Sequence, residues 1–118
     1  MKLVEIRSYA LRPGTGVAFH RLVVEKAMPL LAVAGMDVVA FGPSVHDINS
    51  YVLIRAFNNL DDLTTSEDAL YSSSAWRDGP REAILDNIDT YLDVVVWLDD
   101  DTVESIHKSM QTGSVDRT

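Results

Sequence analysis

Cysteine is absent from the 118 residues, and with it go disulfides, thiolate nucleophiles and thiolate metal sites. Positive charge is scarce. Ten Lys and Arg stand against eighteen Asp and Glu, for a formal net charge of −8 at pH 7. Nucleic acid needs a basic footprint for its phosphates, so no such partner is expected. No apolar run approaches the roughly 20 residues of a membrane-spanning helix. The longest candidate, Val94-Val95-Val96-Trp97-Leu98, is strand-sized. The N-terminus starts on strand-like sequence without the apolar region of a signal peptide, so a cytoplasmic protein with no membrane partner is the expectation. Gly14 and Gly16 are followed by no third glycine at the spacing of a phosphate loop, and Ser72 to Ser74 lack a nucleophile-elbow context. Three histidines with no i, i+4 pair form no metal signature, and no cofactor is called for.

What is present reads as one domain, long enough to bury a core without staples. Leu3 to Tyr9 alternates two faces, with Val4, Ile6 and Ser8 on one and Leu3, Glu5, Arg7 and Tyr9 on the other. The small apolar set suits a position under helices. Pro13-Gly14 closes the strand, and a helix from Thr15 or Gly16 to about Ala34 follows, with Phe19, Leu22, Val23, Ala27, Leu30 and Leu31 at helical spacing. Pro29 removes a backbone donor inside that pattern and predicts a kink or short break, while Gly35 reads as the stop. Met36 to Phe41 and Tyr51 to Phe57 predict two strands joined as a hairpin. Asn58, Asn59 or Asp61 caps a helix over Leu60 to Ser72, in which Leu63, Glu67, Leu70 and Tyr71 fall at helical spacing. Ala75 to Asp78 reads as one helical turn. A third helix starts at Pro80, and Tyr91 to Leu98, nearly all apolar, predicts a strand that is central or covered on both faces. Val103 to Met110 adds a helical turn or two, and Gln111 to Thr118 is expected to be disordered.

Strand, helix, strand, strand, helix, strand is the α+β, ferredoxin-like βαββαβ pattern, a four-stranded antiparallel sheet with its helices on one face. Residues 1–99 form this domain, and 100–118 form an acidic and polar tail. The bare sheet face, expected to hold Leu53, Phe57 and part of Val94 to Leu98, exceeds what a monomer exposes and predicts a homodimer.

Glu5-Ile6-Arg7-Ser8-Tyr9 followed by Leu11-Arg12-Pro13-Gly14 resembles the opening E-L-R-x-Y-x-L-x-P-G of the NIPSNAP family. Phe19, Pro29-Leu30, Gly35, the strand Tyr51 to Phe57 and Trp76 resemble the same family in order and spacing, over about Leu3 to Leu98. The resemblance implies the dimeric α+β barrel, in which two sheets face each other with helices outside. That wider group includes cofactor-free monooxygenases, haem-handling enzymes, isomerases, dehalogenases and ligand-binding proteins. It implies no agreed catalytic residue.

Candidate ligand-binding residues are Arg7, Tyr9, His20, Tyr51, Arg55 and Trp76. Arg7, Tyr9, Tyr51 and Arg55 would share one face of the sheet, where arginine and phenol can hold a small hydrophobic or anionic ligand. The competing expectation is that Glu5 pairs with Arg7 or Arg55 across strands and locks the sheet. His20, if aimed at the sheet, would serve as general base or haem ligand. Trp76 sits on a short irregular segment of the kind that lines cavity mouths. His46-Asp47 reads as loop polar groups, and His107 as part of the tail. Two functions follow: a small cofactor-free enzyme of monooxygenase or isomerase type acting on a hydrophobic metabolite, or a non-catalytic small-molecule-binding or protein-interaction module.

Overall fold

A computed structural model describes residues 1–116, with side chains through Met110. Four strands, β1 (Lys2–Leu11), β2 (Asp37–Pro43), β3 (Ser50–Phe57) and β4 (Ile88–Leu98), form one antiparallel sheet in the order β2-β3-β1-β4. The helices between them are α1 (Gly16–Leu22), α2 (Met28–Val33), α3 (Leu60–Ser72), α4 (Ser74–Arg77) and α5 (Arg81–Asp86). This is the ferredoxin-like arrangement. Among the described residues, no helix is long and apolar enough to cross a membrane.

The break predicted at Pro29 takes a definite form. Val23–Ala27, between α1 and α2, winds as a π-helix, and Pro29 lies at the start of α2. A widened turn absorbs the donor that proline lacks. Gly35 ends the helix at φ +74°, a conformation that a side chain would strain. The N-terminus of α3 is capped by Asn59, whose side chain accepts from the Asp62 backbone N–H at 2.8 Å. Asn59→Ala is expected to lower folding stability by about 1 kcal/mol in urea titration, and an unchanged midpoint would show the cap to be idle.

The two faces of the sheet are assigned opposite to expectation. Phe19, Val23 and Ala27 from the first helical layer and Ile84 from α5 bury Leu11 and Tyr51, with Tyr9, Phe41 and Trp76 packed against them. The helices therefore cover the Leu3, Glu5, Arg7, Tyr9 face. Leu53 and Phe57, expected on the bare face, are buried on this side. The reason is that the polar side chains of this face find partners on α3, so burying them leaves few groups unsatisfied. The mainly aliphatic face instead holds Val4, Val39 and Ala56, covered by Val103 and Ile106 of a sixth helix, α6 (Asp100–Asp116). That helix is longer than the turn or two expected beyond Asp99. Asp99 caps it by accepting from Thr102 N–H at 2.7 Å, and His107 Nε2 lies 2.8 Å from Asp37 Oδ1. The disorder expected for Gln111 to Thr118 concerns residues whose side chains lie outside those described.

The continuous apolar run of β4 is not doubly covered. The strand lies at the sheet edge, and Tyr91, Leu92, Val94, Val95 and Trp97 are all exposed. By register, Tyr91, Val95 and Trp97 share the helix side with Tyr9, Glu5 and Leu3, while Leu92 and Val94 share the opposite side with Ser8 and Ile6.

Candidate functional site: an aromatic cavity over a buried ion network

Two features meet on the helix-covered face. The first is an ion network. Glu5 of β1 and Arg55 of β3 stand opposite each other in the ladder, and both are fully buried. Arg55 donates to Glu5 Oε1 from Nη2 at 2.6 Å and from Nε at 3.0 Å, to Glu67 Oε2 from Nη2 at 3.1 Å, and to the Tyr71 hydroxyl from Nη1 at 2.8 Å. Glu67 and Tyr71, four apart on α3, present their polar ends together to the sheet. Arg7 Nη2 reaches Glu5 Oε2 at 3.0 Å, Asp93 Oδ2 at 3.3 Å and Glu67 Oε1 at 3.7 Å, and the guanidinium carbon lies 5.2 Å from the centre of the Tyr91 ring. Arg7 Nε is buried and, among the described residues, has no hydrogen-bond partner. Glu5 thus pairs with both arginines, and the sheet-locking alternative holds. Burial and the neighbouring Glu5 carboxyl raise the pKa of Asp93 above its ordinary value, against the pull of Arg7.

The second feature is a small, partly open cavity of about 40 Å³ between sheet and helices, room for a few water molecules. Of the six residues expected at a site, Tyr9, Tyr51, Arg55 and Trp76 line it, with Phe19, Leu53, Tyr71 and Ile84 among the other walls. Phe19 meets Tyr51 edge-on at 4.9 Å between ring centres, and Tyr71 meets Trp76 edge-on at 5.3 Å. Trp76 is placed by Ser73, whose Oγ accepts from Trp76 N–H at 3.2 Å and donates to Leu70 O at 2.6 Å. Arg7 and His20 stand outside the cavity wall. Arg7 belongs to the network. His20 reaches the site through Tyr51, its Nδ1 lying 2.6 Å from the Tyr51 hydroxyl.

Burial, followed by the neighbouring Tyr9, pushes the Tyr51 phenol well above its ordinary pKa. Burial raises Tyr9 to about 12, against the nearby Arg7 charge. Both phenols therefore keep their protons at neutral pH, and the Tyr51 hydroxyl shares a hydrogen bond with His20 Nδ1. The arrangement can place the Tyr9 or Tyr51 hydroxyl against the oxygen of a small group and pass a proton between Tyr51 and His20, and at about 40 Å³ it is too small for an aromatic ring to enter without movement of its walls. Sequence spacing did not mark Glu67, Tyr71 or Asp93 as part of the site. The available signal was a glutamate set within the apolar stripe of α3. His46 and Asp47 stay in the loop, bonded to Ser44 and to Asn49 and Ser50. Among the described residues, no group of three or more His, Asp or Glu side chains is placed to hold a metal.

This is an α+β protein of ferredoxin-like topology, with an aromatic cavity between its sheet and its helices. Its fold is that of NIPSNAP proteins. A NIPSNAP family protein from Agrobacterium tumefaciens superposes at TM-score 0.77 with 17% identity, over 85% of this chain and 95% of that one. A second A. tumefaciens NIPSNAP family protein, described as of unknown function, gives 0.74 and 25%, over 80% and 86%. A candidate antibiotic biosynthesis monooxygenase from Nitrosomonas europaea gives 0.63 and 15%, over 81% and 97%. No family model and no curated protein matches the chain.

Proposed function

We propose that this chain binds a small, mainly apolar metabolite in the cavity between sheet and helices and acts on it without a metal, as a cofactor-free enzyme of monooxygenase or isomerase type. The observation that carries this reading is the convergence of Tyr9, Tyr51, Arg55 and Trp76, from β1, β3 and α4, on one small cavity. Reactions of both types move a proton on the substrate. A proton taken up by the Tyr51 oxygen is matched by release of the Tyr51 proton to His20 Nδ1, so no charge is left stranded on the phenol. Arg55 has its donors engaged by Glu5, Glu67 and Tyr71, and contributes positive potential rather than a new contact. That occupancy favours a neutral ligand over the anionic one that two arginines first suggest. The monooxygenase candidates of similar fold support the reaction class only by analogy of fold.

One observation favours the non-catalytic alternative, a small-molecule-binding or interaction module: the ionic groups at the cavity floor are already paired. Native mass spectrometry of freshly purified protein tests both readings. A retained small organic mass is expected, and its identity supplies the substrate class. Tyr51→Phe should keep the ligand but slow its turnover roughly 100-fold. Retention with no turnover in the parent protein would leave the binding module. A protein that retains no mass and binds none of a panel of small apolar compounds would sink the enzyme and the small-molecule-binding reading, leaving only an interaction module.

We further propose that the working form is a homodimer, joined through the uncovered part of the aliphatic sheet face and the edge strand β4. The working compartment we propose is the cytoplasm, in keeping with an acidic chain that carries no cysteine.

A further inference from the structure

Outside the aromatic cavity lies a separate cleft of about 580 Å³, between the β2–β3 hairpin and the end of α6. Its size falls within the usual range for sites that take whole small molecules. Phe41, Pro43, Val45, Val52 and Met110 supply apolar walls, and His20 is the one titratable side chain among the described residues that line it. Among the described residues, no Lys, Arg, Asp or Glu lines it.

The chemistry of His20 narrows the occupant. Its Nδ1 is taken by the Tyr51 hydroxyl at 2.6 Å. With Nδ1 engaged by Tyr51, Nε2 is the ring nitrogen left for a ligand, and in the tautomer in which Nδ1 accepts from Tyr51 it carries the hydrogen. The cleft therefore offers an apolar surface with the His20 imidazole at one end and hydroxyls at Ser44 and Ser109. Ser44 is bonded to His46 Nδ1 at 2.8 Å, which leaves the His20 imidazole and the Ser109 hydroxyl as the polar groups of the cleft.

We propose that this cleft is a second ligand site, separate from the cavity, for a neutral apolar molecule bearing a single carbonyl acceptor held by His20 Nε2–H. An acceptor at Nε2 fixes the His20 tautomer that receives the Tyr51 proton. Occupancy of the cleft thus holds the cavity's phenol as a donor. The binding proposal stands on the cleft alone, and only this coupling rests on the function proposed for the cavity.

The test uses the full chain and prodan, a neutral naphthyl ketone whose emission moves to the blue when its carbonyl leaves water. Saturable binding with a blue shift is expected. Ser109→Trp, at an exposed position on α6, fills the cleft without touching the core and should weaken binding at least 10-fold. His20→Ala removes the donor and should weaken it about 5-fold, whereas Trp76→Ala, which opens the inner cavity, should leave it within twofold. No saturable shift, or affinities of the Ser109 and His20 variants within twofold of the parent, would overturn the proposal. Loss in Trp76→Ala with none in Ser109→Trp would place the dye in the inner cavity, overturning the cleft site while supporting the cavity reading. The predicted dye results in a protein that retains no native ligand would sustain the cleft and count against the cavity.

Discussion

Arg55→Ala is expected to lower folding stability by about 3–5 kcal/mol, read as a fall in the urea midpoint. The side chain is fully buried and donates to Glu5, Glu67 and Tyr71 at once. Removing it strands the Glu5 carboxylate, itself 1% exposed, with only Arg7 in reach. The cost is dominated by that orphaned charge rather than by the worth of the pair. The double variant Glu5→Leu with Arg55→Met makes the distinction, since it removes both charges and keeps the volume. It should recover most of the lost stability, because a buried pair replaced by apolar groups is often neutral. Arg55→Lys should not, since an ammonium is a point charge and cannot span Glu5 and Tyr71 as the planar fork does. A single Arg55→Ala variant within 1 kcal/mol of the parent would mean that water enters and solvates Glu5, and the network would then be no lock.

The order of elements was readable because each boundary has a local cause. Alternation marks the strands, Gly35 and Asn59 mark a stop and a start, and Pro29 marks the break that the π-helical stretch absorbs. Which face of the sheet the helices cover was not readable. Glu5, Arg7 and Arg55 look like residues for water. Only Glu67 and Tyr71, arriving from α3 across 12 and 16 positions of sequence from Arg55, make their burial tolerable. Similarly, the apolar run of β4 signals two covered faces, but the strand order places it at an edge. Within the single chain Leu92 and Val94 stay exposed.

At the site, spacing pointed to Tyr9, Tyr51 and Arg55 because arginine and phenol on one strand face can hold a small ligand, and to Trp76 because it sits on a short irregular segment. The coupling of His20 to Tyr51 has no counterpart in spacing. It joins residues 31 apart through the packing of α1 on β3. His107 was set aside with the tail, yet it ties α6 to Asp37 of β2. The tail is therefore part of the aliphatic face, and it shields the end of the sheet where Val4 and Ala56 lie.

What α6 leaves bare sets the second large effect. An edge strand of 11 residues is normally blunted by lysine, proline or a short length. β4 has none of these devices. Its only charged side chains are Asp89 and Asp93, and Leu92 and Val94 stand 74% and 54% exposed on the aliphatic side. A second copy of the chain answers this pattern, since a two-fold axis lays the same aliphatic residues against themselves. Val94→Glu is then expected to convert a dimer into a monomer, with self-association weakened roughly 100-fold, or about 3 kcal/mol. The two-fold places the introduced carboxylate in the interface twice, so one substitution buries two like charges. Because Val94 is already exposed in the single chain, the variant should keep its circular dichroism spectrum, which separates lost assembly from lost folding. Native mass spectrometry across a dilution series reads the result. A parent protein that is monomeric at tens of micromolar would remove the second copy as the cover of β4. A Val94→Glu protein that remains dimeric would move the interface off the aliphatic face, leaving the backbone edge of β4 as the surface through which the copies pair.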